Sequence, residues 1–500
     1  MRPVMFALGF LGALATPALA LGFCGFYVSG SSGAITNKAT RVALMRQGTR
    51  TVLTMSNDYD GPAADFAMIV PVPIVLQQEN VRTLPHDVFN HLESVTAPRL
   101  VEYWEQDPCY RPPMRRPRWG RGEAAMPTAA APMEDMVDSP TVRIEARFTV
   151  GEYNVLVLSA TESTGLETWL RANHYNIPNG AAEALAPYVR EQWTFFVARV
   201  DIARAERRAS GGVRLSPLRF HYDAPEFRLP VRLGLLNAPQ AQDLIVYVIH
   251  PTSRFEVANY HNAFVPTNLT VTNSVRSHFG EFYARLFDYT LDASGGRSVI
   301  TEYAWSTGSC DPCPSPPLDA SELTVLGADV LGGADTSYHG GVMVVTRLHT
   351  RYDRSTLSED LIFREAPPIA GGRETPGTRG GVEQGASPSG VNNFQARYAI
   401  RHPWTGPITC AHPRRGVWGA PPRGVHPHPV AARDLAEVPR GRLSLRANLR
   451  SPLPVVRPPG AAGGSGPHGS NSHEPTQGER LAGGAGLAGL LGAVLRRMRG

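Results

Sequence analysis

Proline and glycine fall in clusters along this chain, and that placement confines it to short elements gathered in a few blocks. Proline removes a backbone donor and fixes φ, and glycine adds freedom that folding must remove, so neither sustains a long helix or a central strand. Of 500 residues, 49 are Gly and 44 are Pro. Residues 106–140 hold the run Arg111-Pro112-Pro113-Met114-Arg115-Arg116-Pro117-Arg118-Trp119 and then an Ala/Pro/Met stretch, and read as a long excursion from the folded body. Residues 367–390 are Gly/Pro/Ser-rich and read as a flexible loop. Residues 421–480, rich in His, Pro, Gly and Ser, are too poor in apolar side chains to order themselves and read as a disordered linker. What is left is about 350 residues, ample for a large core.

Between the clusters the hydrophobic period is mostly two. Val42 and Leu44 alternate with polar positions, as do Leu53 and Met55, with Gln47-Gly48 as the turn of a hairpin. Residues 66–72, 142–150, 153–158, 193–202, 226–235, 244–249, 298–305, 342–349 and 395–400 read as further strands. Helical spacing is confined to short pieces. Pro85 opens one, with Val88, Phe89 and Leu92 on one face. Thr164 and Glu167 have the spacing of a capping box ahead of Leu166, Trp169 and Leu170. A third short piece carries Leu185 and is limited by Pro187, and Phe279, Phe282, Tyr283 and Leu286 mark a fourth. The expected fold class is α+β: β-rich, mostly antiparallel, with a few short helices and a flexible Pro/Gly-rich C-terminal region.

The first twenty residues read as a signal peptide. Met1-Arg2 is basic, an apolar run follows, and Ala18-Leu19-Ala20 has the small-x-small pattern of a cleavage site. The expected location is therefore periplasmic, secreted or cell-surface associated. Phe23 stands where a lipobox has a small residue, so Cys24 does not read as lipidated. The net charge of +5 invites a nucleic-acid partner, but Lys38 is the sole lysine and the arginines are dispersed, which argues against one. The five arginines from Arg111 to Arg121 read first as a solvated loop and second as a grip for an anionic partner. The end of the chain, 481–500, is a short apolar run followed by Arg496-Arg497-Met498-Arg499. It is shorter than the ~20 residues a spanning helix needs, but offers a route to membrane association.

Cysteine carries the chemistry that can be read. Cys24, Cys109, Cys310, Cys313 and Cys410 are all disulfide candidates in an exported chain. Cys24 and Cys109 flank the N-terminal β-rich block, which suggests one pairing and leaves Cys310, Cys313 and Cys410 to share a second bridge. The C-x-x-C at Cys310 and Cys313 can also be a redox pair, although Pro314, Pro316 and Pro317 leave no room for a helix directly after it. Cys310, Cys313, Cys410 and His412 have the number and type of ligands for tetrahedral zinc, the one metal considered. His86 and His91 are five apart, so they lie on different helix faces, and no H-E-x-x-H occurs. Gly484, Gly486 and Gly489 match G-x-G-x-x-G, but no strand precedes them and no βαβ unit can follow. No residue is assigned to catalysis or to a cofactor.

Several ordered blocks resemble one bacterial family. They are Cys24-Gly25-Phe26-Tyr27-Val28, the stretch VALMRQGTRTVLTMSNDYDGPAADFAMIVPVP from Val42 to Pro73, and Glu102 to Cys109. Further on come GLETWLRANHYNIP from Gly165, ANYHNAFVPTN from Ala258 and LHTRYDRSTLSEDLIF from Leu348. Together, over roughly residues 22–420, the chain is similar to DUF2330, exported bacterial proteins with no established activity. The resemblance implies export and transfers no catalytic residue. The tail is similar to myxobacterial sorting tails, although no cysteine follows Cys410. The expectation is an exported, disulfide-stabilised, non-enzymatic binding or structural module with an envelope or surface partner; the alternative is an exported enzyme using the Cys310/Cys313 pair as a redox or zinc site.

Overall fold

Strands Thr36–Gln47 and Arg50–Asp60 form the expected hairpin, with Gln47 opposite Arg50. A two-residue turn of this kind needs positive φ, and Gly48 supplies it at +57°. Val42, Leu44, Leu53 and Met55 all land on one buried face, as their alternation requires. The computed structural model describes residues 26–29, 36–60, 66–109, 141–207 except 176, 213–237, 241–331 except 312, and 342–373. It also describes 383–456 except 384, 428–429, 434, 436–437 and 454. The signal-peptide reading, Cys24, most of the Arg/Pro excursion and the 481–500 tail lie outside the described residues.

The hairpin belongs to a large mixed sheet. Gln242–His250 runs parallel to Thr36–Gln47 and antiparallel to Val344–Tyr352, which pairs antiparallel with Ser298–Ser306. On the other flank Arg50–Asp60 pairs with Leu218–Asp223. A second, antiparallel sheet joins Phe66–Val72, Thr194–Val200, Tyr153–Ala160 and Val142–Val150. The two sheets face each other across the main core, where Met68, Val70, Val155 and Phe196 meet Leu44, Leu53, Val246 and Leu348. Helices Ser163–Ala172 and Ala181–Arg190 cover the back of the second sheet through Leu166, Leu170, Leu185 and Tyr188. Helices Asp87–Thr96 and Ala320–Leu326 cover part of the central sheet's back through Phe89, Leu92, Leu323 and Leu326. The longest helix among the described residues, Phe279–Ala293, packs its aromatic stripe on Tyr398 and Ile400. The architecture is the β-rich α+β fold that the sequence pattern implies.

Four local expectations are corrected. The strand expected over 226–235 is only Arg228–Leu229, followed by a 3-10 segment at Arg232–Asn237. Pro230 interrupts the ladder, and the buried Asp360 carboxylate accepts from Val231 N at 3.0 Å, drawing the backbone away. The capping box at Thr164 does not form. The helix starts at Ser163, and Glu167 instead bonds Arg171 at 2.6 Å and accepts from Ala182 N at 3.2 Å. The loop expected over 367–390 is pinned at both ends: Ile369–Gly371 pairs with Asn393–Gln395 and with Ser387–Pro388. Gly372, at φ +79°, passes so near the neighbouring backbone that a Cβ there would sit 2.0 Å from Gln395 O.

The fourth correction concerns the expected 421–480 linker. Its described part joins the core. Val430–Ala431 pairs with Arg99 and Leu100, and Ala432, Leu435, Leu445 and Leu449 are buried against the helix Phe279–Ala293. These apolar residues are isolated among Arg, Pro and Gly and each fills one separate site, so they carry no period for a sequence reading to detect. A chain ended after residue 427 loses three buried leucines at about 1.5–3 kcal/mol each. Denaturant titration is expected to show a stability loss of more than about 4 kcal/mol; an unchanged midpoint would show that the segment contributes nothing.

Candidate functional site

The back of the central sheet carries charge where hydrocarbon is the rule. Arg347, His349 and Arg351 alternate on Val344–Tyr352 and so point to one face. Opposite them on Gln242–His250 stand Tyr247, Ile245 and Asp243. Ser298–Ser306 adds Glu302 through a β-bulge. Thr301 is paired with Leu348 and Tyr303 with Arg347, leaving Glu302 as the extra residue. Bulges re-aim a side chain, and this one turns a carboxylate onto His349 and Arg347.

The result is a dry ionic cluster. His349, Arg347 and Glu302 have no solvent exposure, and Asp243 has 2%. The imidazole bonds Glu302 Oε1 through Nδ1 at 2.8 Å and Asp243 Oδ1 through Nε2 at 3.0 Å. Arg347 Nε donates to Glu302 Oε2 at 2.6 Å, and its Nη1 to the Tyr247 hydroxyl at 3.0 Å. The helix Phe279–Ala293 closes the cluster: Tyr283 OH donates to Glu302, and the Phe287 ring stacks on the imidazole with centroids 3.9 Å apart. Asp243 is also held by Arg351 at 2.7 Å and by Arg440 at 3.0 Å, and Arg440 reaches on to Asp288. Glu93, on the helix Asp87–Thr96, bonds Arg41 at 2.8 Å and lies 3.6 Å from Arg347.

Burial by itself would push both carboxyls up, but His349 and the arginines outweigh it and hold Glu302 and Asp243 at about 2. Burial would likewise push the imidazole down; Glu302 and Asp243 reverse that and raise it, so His349 is an imidazolium. Both ring nitrogens are committed to carboxylates, which leaves none to take a proton from a substrate. The cluster joins three strands to the helix Phe279–Ala293. Removing one partner from such a network leaves a buried uncompensated charge, a loss of about 3–5 kcal/mol. His349→Gln is expected to show that loss at pH 6 in denaturant titrations. The imidazolium contribution is complete below about 6.5, the unfolded value, and is lost as pH rises through the raised folded value. The wild-type advantage over His349→Gln should therefore shrink on the alkaline side; a constant difference from pH 6 to 9 would refute the charged assignment. The two carboxylates act with the opposite sign, stabilising above about 4 and failing as pH falls toward their folded values.

The expected Cys24–Cys109 pairing is corrected, while a bridge within the C-x-x-C pair is one of the expected arrangements. Cys109 is bridged to Cys410, across 301 positions, and Cys310 to Cys313. The reason is the parallel pairing of Arg99–Glu105 with Arg397–His402, which carries both chain exits in one direction and sets Cys109 beside Cys410. Glu105 secures the same corner by accepting from Arg415 at 2.7 Å, Gly416 N at 2.7 Å and Trp404 N at 2.9 Å. The zinc set of Cys310, Cys313, Cys410 and His412 is not assembled, because its cysteines are divided between two separate bridges. Among the described residues no group of three or more His, Cys, Asp or Glu is placed to hold a metal. His86 reaches toward Glu206 at 4.0 Å and His91 bonds Glu322, so the two histidines serve different contacts. The two bridges differ in weight. On loop-closure entropy the long bridge is worth about 6 kcal/mol and the four-residue ring about 2 kcal/mol.

The second sheet provides an open concavity of about 580 Å³ beside the end of the helix Ser163–Ala172. Trp169, Asn173 and Tyr175 form its helix side, and Arg147, Asn154 and Arg199 its sheet side. His174 takes φ +67°, which ends the helix and lets Tyr175 N bond Leu170 O at 3.0 Å, so the Tyr175 ring returns to the concavity. Trp169 and Tyr175 thus share the concavity with two arginines and two amides, Asn154 and Asn173. Nothing in the spacing of the sequence joins these residues, which come from three strands and a helix end.

The matches with known proteins are narrow. No curated protein and no solved structure matches the chain. A family model described as "Uncharacterized protein conserved in bacteria (DUF2330)" matches residues 17–364. That span takes in His349, Glu302, Asp243, the Cys310–Cys313 bridge and the concavity, and stops short of Arg397, Cys410 and Arg440. It also ends before the residue 420 at which the resemblance was placed. Because the match covers more than half of the 500 residues, the chain belongs to the DUF2330 family of bacterial proteins.

Proposed function

We propose that this protein is exported and works in the periplasm or at the cell surface as a non-enzymatic, disulfide-stabilised binding or structural module for an envelope partner. The observation that carries this is the state of the cysteines: all four among the described residues are in bridges, one of which closes most of the chain. Such bridges persist in oxidising compartments. The basic, apolar and small-residue order of the first twenty residues supports the same location. No helix among the described residues is long and apolar enough to cross a membrane. The buried ionic cluster pairs its charges internally, His349 with Glu302 and Asp243 and Arg347 with Glu302, which favours a framework role over turnover. The Trp169/Arg199 concavity is the surface this reading assigns to the partner. The apolar tail with its Arg cluster would add a sorting or membrane-attachment signal.

The direct test is a non-reducing peptide map of protein taken from its own cells. The expected result is an N-terminus at Leu21 with Cys109–Cys410 and Cys310–Cys313 bridged. A chain that keeps Met1 and carries free thiols at all four positions would overturn the reading, as would turnover of a defined substrate abolished by one substitution.

A further inference from the structure

The Cys310–Cys313 loop rests on buried positive charge. Arg397 has no solvent exposure, and its Nη2 donates to the Asp311 carbonyl oxygen at 2.6 Å and meets the Asp311 carboxylate at 3.2 Å. Its Nη1 bonds the Tyr103 hydroxyl, and its Nε has no hydrogen-bond partner. Gln395 Nε2 also donates to the Asp311 carbonyl. Arg99, 3% exposed, lies in the same field: burial and then repulsion from Arg397 hold its guanidinium at about 10, against the pull of Asp311. The remaining charged pair at this loop, Arg373 and Glu383, is bonded internally at 2.6 Å and cancels. Two buried guanidiniums therefore face one half-exposed carboxylate. The bridge itself is accessible, with Cys313 exposed and Cys310 half-buried.

We propose that Cys310–Cys313 is a thiol-exchange site that accepts two electrons from a dithiol protein partner, and is not a structural staple. A positive field favours a thiolate over a thiol and so stabilises the reduced form of a bridge. Cys313 is the more exposed residue of the pair, so a partner thiolate attacks its sulfur. The S–S bond breaks, a mixed disulfide forms at Cys313, and Cys310 leaves as a thiolate next in the chain to Asp311, whose carbonyl Arg397 holds. The partner's second thiol, after losing its proton, attacks its own sulfur in the mixed disulfide. The partner departs as a disulfide and the chain keeps both cysteines, with the two protons the partner gave up. Reducing this four-residue ring leaves the Cys109–Cys410 closure untouched, so exchange does not require unfolding. The inference leaves the Cys109–Cys410 bridge and the export reading in place, and replaces the stabilising role which that reading gives to Cys310–Cys313.

The test is to equilibrate the mature, folded protein in glutathione buffers of graded ratio, quench with acid, alkylate and count thiols at each cysteine by mass spectrometry. Cys310 and Cys313 are expected to be reduced at ratios at least tenfold more oxidising than those that open Cys109–Cys410. Asp311→Asn keeps the oxygen that Arg397 bonds while removing the opposing charge, and should move the half-reduction ratio of Cys310–Cys313 several-fold further in the same direction. In the reduced wild type, one of the two thiols should react with iodoacetamide at pH 7 several-fold faster than free cysteine. A bridge that opens only together with Cys109–Cys410, or a half-reduction ratio unmoved by Asp311→Asn, would overturn the proposal.

Discussion

The contact between the central sheet and the helix Phe279–Ala293 is made across charge, and the rest of the fold is arranged to satisfy it. An ion brought into a dry interior loses several kcal/mol of hydration, and only close partners return it. His349 meets two carboxylates, Glu302 meets Arg347, Asp243 meets Arg351 and Arg440, and the aromatic face of Phe287 covers the ring. The partners come from three strands, two helices and the C-terminal segment. That dispersal makes the cluster a test of correct assembly: a slipped register or a displaced helix would leave a buried charge alone. Buried ionic groups can serve conformational specificity in this way, and the bulge at Glu302 is the clearest sign that the backbone bends to complete the set.

The C-terminal segment follows from the same constraint. Arg440 completes Asp243 and Asp288, while Leu435, Leu445 and Leu449 cover the apolar flank of the helix. Cys109–Cys410 and the Glu105 acceptor set hold the start of that segment beside the strand Arg99–Glu105. The family match ends at residue 364, so the residues that finish the core come from beyond the matched span. A framework secured in this manner supports two surface features without taking part in them: the Trp169/Arg199 concavity and the Cys310–Cys313 loop. The fold itself is silent on activity, and the functional reading rests on those sites and on the cysteine pairing.

Legibility in the sequence tracked whether a residue's environment is set by its neighbours in the chain. The hairpin at Gly48, the strands 142–150 and 298–306 and the aromatic stripe of the long helix were readable because alternation, turn chemistry and helical spacing are local. The strands Arg99–Glu105 and Leu218–Asp223 were not, because Arg99, Glu105 and Arg219 occupy positions that a pattern reading assigns to solvent. Arg219 is acceptable inside only because Asp329 meets it at 2.9 Å from a distant segment. For the ionic cluster one signal was present and unused: Arg347, His349 and Arg351 at a period of two within an apolar strand mark a charged stripe on a buried face.

The sequence by itself determined the locally patterned elements, the fold class, the family and the cysteine inventory, because period, turn residues and composition act over a few positions. Tertiary structure alone decided the bridges, the bulge, the ion partners and the ordering of the C-terminal segment. Cys109 meets Cys410 only because two strands run parallel, and His349 holds its proton only because Asp243 and Glu302 arrive from separate strands. Bridges, hydrogen bonds and close ion pairs all need their atoms within a few ångströms of one another, and proximity on that scale is a property of the folded chain.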